Sequence, residues 1–267
     1  MIEVLWVDVE YDFPELFPYI IYVMAVLGTK LNVLKIPTPL EKLAIHKGGL
    51  SHKARWCGPD GKFYAIRNFF ENVIEKGEYI SFEGTRWAES RARASRPLFS
   101  PPTESFVGNA TYRPVLDFGD MEVCNYSLEK GISLNSTYRF FSRTGCYICP
   151  EANLKDFGIL RFIYPNLWKK FLNFLQSASH CSSWRTKYAK GDLERYFKAK
   201  VDWDNFEAPY TAPFVLKDKI DSVVGFDVDI IRDNPSLKFE DILTKSKAKI
   251  NCDIHKPPVP DEHKQLK

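Results

Sequence analysis

Cysteine is scarce, with six in 267 residues, too few for the disulfide framework that stabilises small secreted domains. Long apolar runs are missing as well. The longest, residues 16–28, falls short of the about 20 residues a membrane span requires, and Pro18 lies inside it. The opening MIEVLWVD has the β-branched, apolar character of a strand, not the layout of an export signal. Strong net charge is absent too: +3 is too little to argue for nucleic acid as a partner. The five histidines show no metal-ligand spacing, and no internal repeat is visible. These absences point to a cytoplasmic chain with no membrane partner. In a reducing compartment, closely spaced cysteines read as a metal or redox site.

Rings are what the chain has in quantity: 20 Phe, 13 Tyr and 6 Trp, which implies a core built on aromatic packing. Residues 2–7 read as a strand ending on Asp8, 10–14 as a turn, and 15–27 as a helix capped by Gly28. A second strand spans 30–36. Strand, helix and strand in this order predict an α/β domain with a parallel sheet. Further helices are expected at 38–46, 62–76, 85–94, 120–130, 151–160, 167–175 and 191–200. Strands are expected at 78–83 and 223–231, with a short docking strand at 112–116. A polar linker at 177–183 divides the chain into a domain at 1–176 and a C-terminal extension at 177–267. Proline-rich 256–263 reads as a disordered tail.

The segment RTGCYICP (143–150) places Cys146 and Cys149 two residues apart, a spacing that suits one metal ion, a cluster iron or a disulfide. Pro150 suits a first helical position, which would set Cys149 at a helix N-terminus and favour its thiolate. A second concentration of chemistry is basic: Arg86, Arg91, Arg93 and Arg96, with Glu89 and Ser90 among them. On a helix, Arg86 and Arg93 would share a face and could grip an anion bidentately. A Glu89–Arg93 pair on a solvated helix is the plainer alternative. Asp8 ends a strand where α/β folds place ligands. Arg55 and Lys62 flank Cys57, and Arg143 adjoins the cysteine pair.

Several segments, in order, resemble the phosphoadenosine phosphosulfate reductase family of the adenine nucleotide alpha hydrolase-like fold. They are VDVEYDFPE (7–15), Arg55-Trp-Cys57 with Lys62, GTRWAES (84–90) with Arg93-Ala94, Arg113-Pro114, DMEV (120–123), Tyr138 and RTGCYICP. The resemblance covers about residues 2–176. It implies a Rossmann-like parallel sheet and an adenine nucleotide or sulfonucleotide as ligand. It implies nucleotide or anion binding by Asp8, Arg55, Lys62, Gly84, Arg86, Glu89, Ser90, Arg93 and Arg143. Relatives with iron–sulfur centres make a [4Fe–4S] cluster or a zinc ion a candidate, held by Cys57, Cys146 and Cys149 with Cys181 or Cys252 as the fourth ligand. A dithiol redox pair and inert buried thiols are the alternatives.

Two family features have no counterpart. One is the first strand with its phosphate-cradling Ser-Gly-Gly-x-Asp-Ser loop (PP-loop), which implies a different start, a protein partner that supplies it, or a relative without turnover. The other is the Glu-Cys-Gly-x-His ending, of which Cys252 is a faint echo, so no catalytic residue is assigned. Three functions follow as expectations: an enzyme of sulfur metabolism that reduces or transfers sulfur, a tRNA or DNA sulfur-modification component, and a non-catalytic binding or assembly protein. The single basic patch makes nucleic acid the less favoured ligand.

Overall fold

The computed structural model describes residues 2–72, 79–102, 109–206 and 252–264. Strand β1 (Glu3–Asp8), helix α1 (Leu16–Leu27) and strand β2 (Lys30–Lys35) form the expected unit. Gly28 closes α1 in the left-handed conformation, φ 61°, which costs glycine no Cβ clash. β1 and β2 pair in parallel from Glu3↔Lys30 to Asp8↔Lys35. The mixed α/β architecture with a parallel sheet is therefore as the sequence predicts.

The third strand of this sheet comes from the far end of the chain. β6 (Cys252–His255) lies parallel to β2. Its seat is polar and specific: buried Asn32 donates to Glu3 Oε2 at 3.0 Å and meets His255 Nε2 at 3.0 Å. A slip of one residue would turn Asn32 away from both partners, so the pair fixes the register. The proline-rich stretch that composition marks as disordered leads from β6 into a single turn, α9 (Asp261–Lys264), where His263 is buried. Composition misleads here because the ordering comes from β2, more than two hundred residues away.

Alternation along β2 assigns its faces. Leu31 and Val33 pack with Phe17, Ile21 and Met24 of α1. Leu34 packs with Ala65 and Phe69 of α3 (Phe63–Asn72). The remaining core joins α2 (Leu40–Lys47), α6 (Leu154–Ile163), α7 (Pro165–Ser177) and α8 (Trp184–Lys198). Tyr196 of α8 stacks on Phe157 of α6 at 4.0 Å between ring centres. Ala178, Ala189, Tyr196 and Ala199 belong to the same cluster as Val9 and Phe157. One core thus runs across position 177, and the expected division there does not interrupt it. The polar 177–183 stretch reads as a linker, but it carries a 3₁₀ turn at Ala178–His180 with Ala178 buried.

A second small sheet holds β3 (Ile80–Phe82) parallel to β5 (Ala110–Tyr112), with β4 (Phe99–Ser100) antiparallel on the other side of β5. The strand expected at 78–83 is thus present from Ile80, outside the β1–β2–β6 sheet. Helix α5 (Asp120–Glu129) follows as predicted. The strand expected at 223–231 lies outside the described residues, as does the end of the helix expected at 62–76. No described helix is long and apolar enough to cross a membrane.

Candidate functional site

Three segments meet beyond the end of β1. The first leaves β1 through Glu10, whose φ of 67° turns the chain sharply. It then runs antiparallel to the cysteine turn: Tyr147 N–H donates to the Tyr11 carbonyl at 2.9 Å, and Asp12 pairs with Cys146. The second is a π-helical turn, Gly58–Lys62, with Cys57 at its N-cap and Lys62 as its last residue. Trp56, buried and donating its indole N–H to Gly48 O at 3.0 Å, anchors that turn. The third is the cysteine turn, where Cys149 N–H donates to Cys146 O at 3.1 Å. Gly145, at φ 156°, gives it a backbone that side chains rarely allow.

The sequence places Cys149 at a helix N-terminus; the structure starts α6 five residues later, at Leu154. Asn153 N–H is met by Asp156 Oδ2 at 3.2 Å, and this local cap sets the helix start in place of Pro150. The thiolate is favoured by other means. The Cys146 thiol, hydrogen-bonded to it, contributes most to bringing the Cys149 pKa down to about 6. Arg143, the Glu151 N–H and Lys62 add to this, while burial opposes it. Arg143 Nη2 lies 3.6 Å from the Cys149 sulfur. Cys146 moves well upward, through the same hydrogen bond and through burial. Within the pair, Cys149 is thus the sulfur that gives up its proton more readily.

Lys62 is the counter-charge. Burial pulls its pKa down, yet Cys146, Asp12, Cys57 and Cys149 outweigh burial and push it up. Burial raises Cys57, with Lys62 opposing. Asp12 rises to about 7, chiefly through burial, with Lys62 opposing and Asp8 adding. Asp12 is the residue that sequence reading passed over as part of a turn. Its signal was the alternation of buried Tyr11 and Phe13 about it, which shows only in the fold. Asp8 itself is held by Lys35 and by the Glu10 N–H at 2.8 Å. Arg55, at the rim, is 3.7 Å from Glu151.

Other expected residues fall elsewhere. The arginine-rich stretch is not one helix. It comprises a 3₁₀ turn at Trp87–Glu89 and a single α turn, α4 (Arg91–Ala94). Arg86 and Arg93 consequently share no helix face. Arg86 is buried and committed, its Nη2 to Asp120 Oδ1 at 2.7 Å and its Nη1 to Phe118 O at 3.3 Å. Arg93 pairs with Glu89. Arg113 is fixed to Glu83 at 3.0 Å and to Ser100 Oγ at 3.0 Å. Gly84 and Ser90 belong to this same segment, where Ser90 O accepts the Arg93 and Ala94 N–H groups.

Cys181 lies against the C-terminal end of α2, its thiol 3.4 Å from His46 O. Cys124 is buried on α5 near Asp120 and Arg86. Neither adds to the three sulfurs around Lys62. Among the described residues, no three cysteine sulfurs converge to within 4.8 Å of one another. The side chain of Cys252, the other candidate fourth ligand, lies outside the described residues. A cavity of about 20 Å³ lies beside Cys146, between Arg143, Phe13 and Phe157. A groove of about 500 Å³ adjoins Pro150 and Glu151, bounded by His52, Asp192 and Arg195.

The family model of the phosphoadenosine phosphosulfate reductase domain matches residues 1–152, more than half of the chain. The chain belongs to that family. Within the matched span of this reductase domain lie all three sulfurs, Asp12 and Lys62. An uncharacterized protein of Methanocaldococcus jannaschii is 26% identical over 176 residues, covering 66% of this chain and 36% of that protein. An uncharacterized 37.8 kDa protein of Escherichia phage 186 is 30% identical over 162 residues, covering 58% of this chain and 48% of that protein. The chain thus spans less than half the length of these relatives.

Proposed function

We propose that this chain carries the thiol end of a sulfonucleotide site and acts on sulfur through Cys149. Membership of the reductase-domain family ties it to sulfonucleotide-related chemistry. The observation that carries the finer reading is the geometry of the pair. Cys146 and Cys149 share one tight turn, and Arg143 Nη2 lies 3.6 Å from the Cys149 sulfur, an arrangement that favours a thiolate at Cys149. Lys62 and Arg143, with Arg55 at the rim, offer the cationic donors that a sulfonate or phosphate needs.

The Cys149 thiolate attacks the sulfur of the transferable sulfonate. An S–S bond forms, the S–O bond to the nucleotide phosphate breaks, and the phosphate leaves with that electron pair. Cys146 then attacks the Cys149 sulfur as its own proton passes to a neighbouring base, for which Asp12, near pH 7, is matched. Sulfite departs and a Cys146–Cys149 disulfide remains, so the two thiols supply both electrons. An external dithiol must reduce that disulfide before a further cycle. The β1 edge away from β2 has no strand partner among the described residues. A strand from a protein partner or further segment, added there, would bring the phosphate-binding backbone N–H groups.

The test is a single turnover with reduced protein and adenosine 3′-phosphate 5′-phosphosulfate. One sulfite per chain and a Cys146–Cys149 disulfide are expected. Cys149→Ser should release none, and Cys146→Ser should retain a sulfonate on Cys149, visible by intact-mass spectrometry. Nucleotide binding with neither sulfite nor adduct would make the chain a non-catalytic binding relative. Stoichiometric iron and sulfide lost in Cys146→Ala would replace the dithiol reading with a cluster held by these cysteines.

A further inference from the structure

The C-terminal turn brings a different donor set together, away from the sulfurs. His263 on α9, Glu262 beside it and Asp60 in the π-helical turn each present one ligand atom, all within 4.8 Å of one another. His263 is only 4% exposed. Its Nδ1 lies 3.2 Å from the hydroxyl of Thr38, itself buried. Its Nε2 has no hydrogen-bond partner and is buried. It faces Glu262 Oε1 at 3.9 Å. A buried, unpaired ring nitrogen is costly unless something fills its lone pair. With the proton on Nδ1 and donated to Thr38, Nε2 is the free lone pair, the arrangement that ligating histidines adopt.

The geometry points to a divalent transition-metal site, of the zinc class, formed by His263 Nε2, Asp60 and Glu262. One imidazole and two carboxylates give three ligands with room for water, and this nitrogen–oxygen set suits zinc over the softer thiolate-seeking ions. Lys47 Nζ occupies one side of the cluster, 2.7 Å from Asp60 Oδ2, and competes as a cation for the same carboxylate. The site joins the tail to the turn whose N-cap is Cys57, so an ion there would clamp β6 and α9 onto the segment that carries Cys57 and Lys62.

The experiment is equilibrium dialysis of the reduced full chain against zinc chloride, with cobalt(II) absorption to report ligand type. One ion with nitrogen–oxygen character is expected, without the thiolate-to-cobalt charge-transfer band that cysteine ligands give. Glu262→Gln should weaken it by at least about tenfold, and Thr38→Val by about tenfold, the scale of lost outer-shell support. Glu262 is mostly exposed, so its substitution does not threaten folding, and it carries the test if His263→Ala loosens the tail. Lys47→Met should tighten binding by removing the competitor. No bound ion, a cobalt spectrum dominated by thiolate bands, or affinity unchanged in Glu262→Gln would overturn the site.

Discussion

Two cationic regions of this molecule use positive charge in opposite ways. Around β3–β5, Arg86, Arg93 and Arg113 are matched to Asp120, Glu89 and Glu83, and their donors are spent on holding loops. Around the cysteine turn, Lys62 and Arg143 face sulfurs and Asp12, groups whose charge depends on a proton. The first set spends its donors on hydrogen bonds between loops, whereas the second faces the sulfurs of the cysteine turn. Motif resemblance alone gave both regions the same expected role in anion binding.

Substitutions can break or sharpen this contrast. The largest expected effect is on the structural side: Arg86→Ala leaves the Phe118 carbonyl and Asp120 without their donor. Asp120 is itself mostly exposed, so the cost comes from the orphaned Phe118 carbonyl and the lost packing of a buried side chain. It should be about 2–3 kcal/mol in chemical denaturation. The pH profile of Cys149 alkylation should stay where it was. A shifted profile would join the two regions electrostatically. Next comes Asp12. Its folded pKa of about 7 stands above its ordinary 3.8, so the folded state holds the proton more tightly. The stability this gives is present below pH 4 and lost as pH rises through 7. Asp12→Asn should therefore gain on the wild type between pH 4 and 8, by about 2 kcal/mol, less than full linkage because the side chain keeps some solvent contact. A flat difference would remove Asp12 from the proton-dependent set.

Lys62→Met should move the midpoint of Cys149 alkylation from about 6 upward by about one pH unit, ~1.4 kcal/mol, read by peptide mass spectrometry. An unchanged midpoint would assign the thiolate to Arg143 and Cys146 alone. The smallest effect is expected at Glu89→Gln, a few tenths of a kcal/mol at most, since Arg93 is a partly exposed i, i+4 partner.

Legibility in the sequence followed the range of the interaction. β1, α1, Gly28 and β2 were readable because their signals are local: apolar spacing, a cap, a β-branched run. Cys57, Lys62, Arg143, Cys146 and Cys149 were readable as motifs, and the fold brings them together. Asp12 was not, because its altered proton affinity arises from burial between segments far apart in the chain. The start of α6 was misplaced because a proline suggests a first helical turn, while the Asn153–Asp156 cap three residues later decides it. The Arg86–Arg93 pairing failed for a related reason. Helical spacing was assumed across a stretch in which Arg86 is drawn into extended backbone by Asp120 and the Phe118 carbonyl. β6 is four residues with no local strand signal, and His263 was hidden by the proline-rich composition before it, which carries no information about a distant contact.

That edge strand has a consequence for biosynthesis. Asn32 and His255, which lock β2 to β6, stand 223 residues apart. At elongation rates of about 5–20 residues per second, β2 waits on the order of 10–45 s on the ribosome before its neighbour exists. During that interval the backbone N–H and C=O groups along its free edge are open to pairing with other nascent chains. The abundance of correctly folded protein should therefore respond to translation speed and to chaperone supply, and a synthetic β6 peptide supplied in trans should compete for the vacant edge while synthesis is under way.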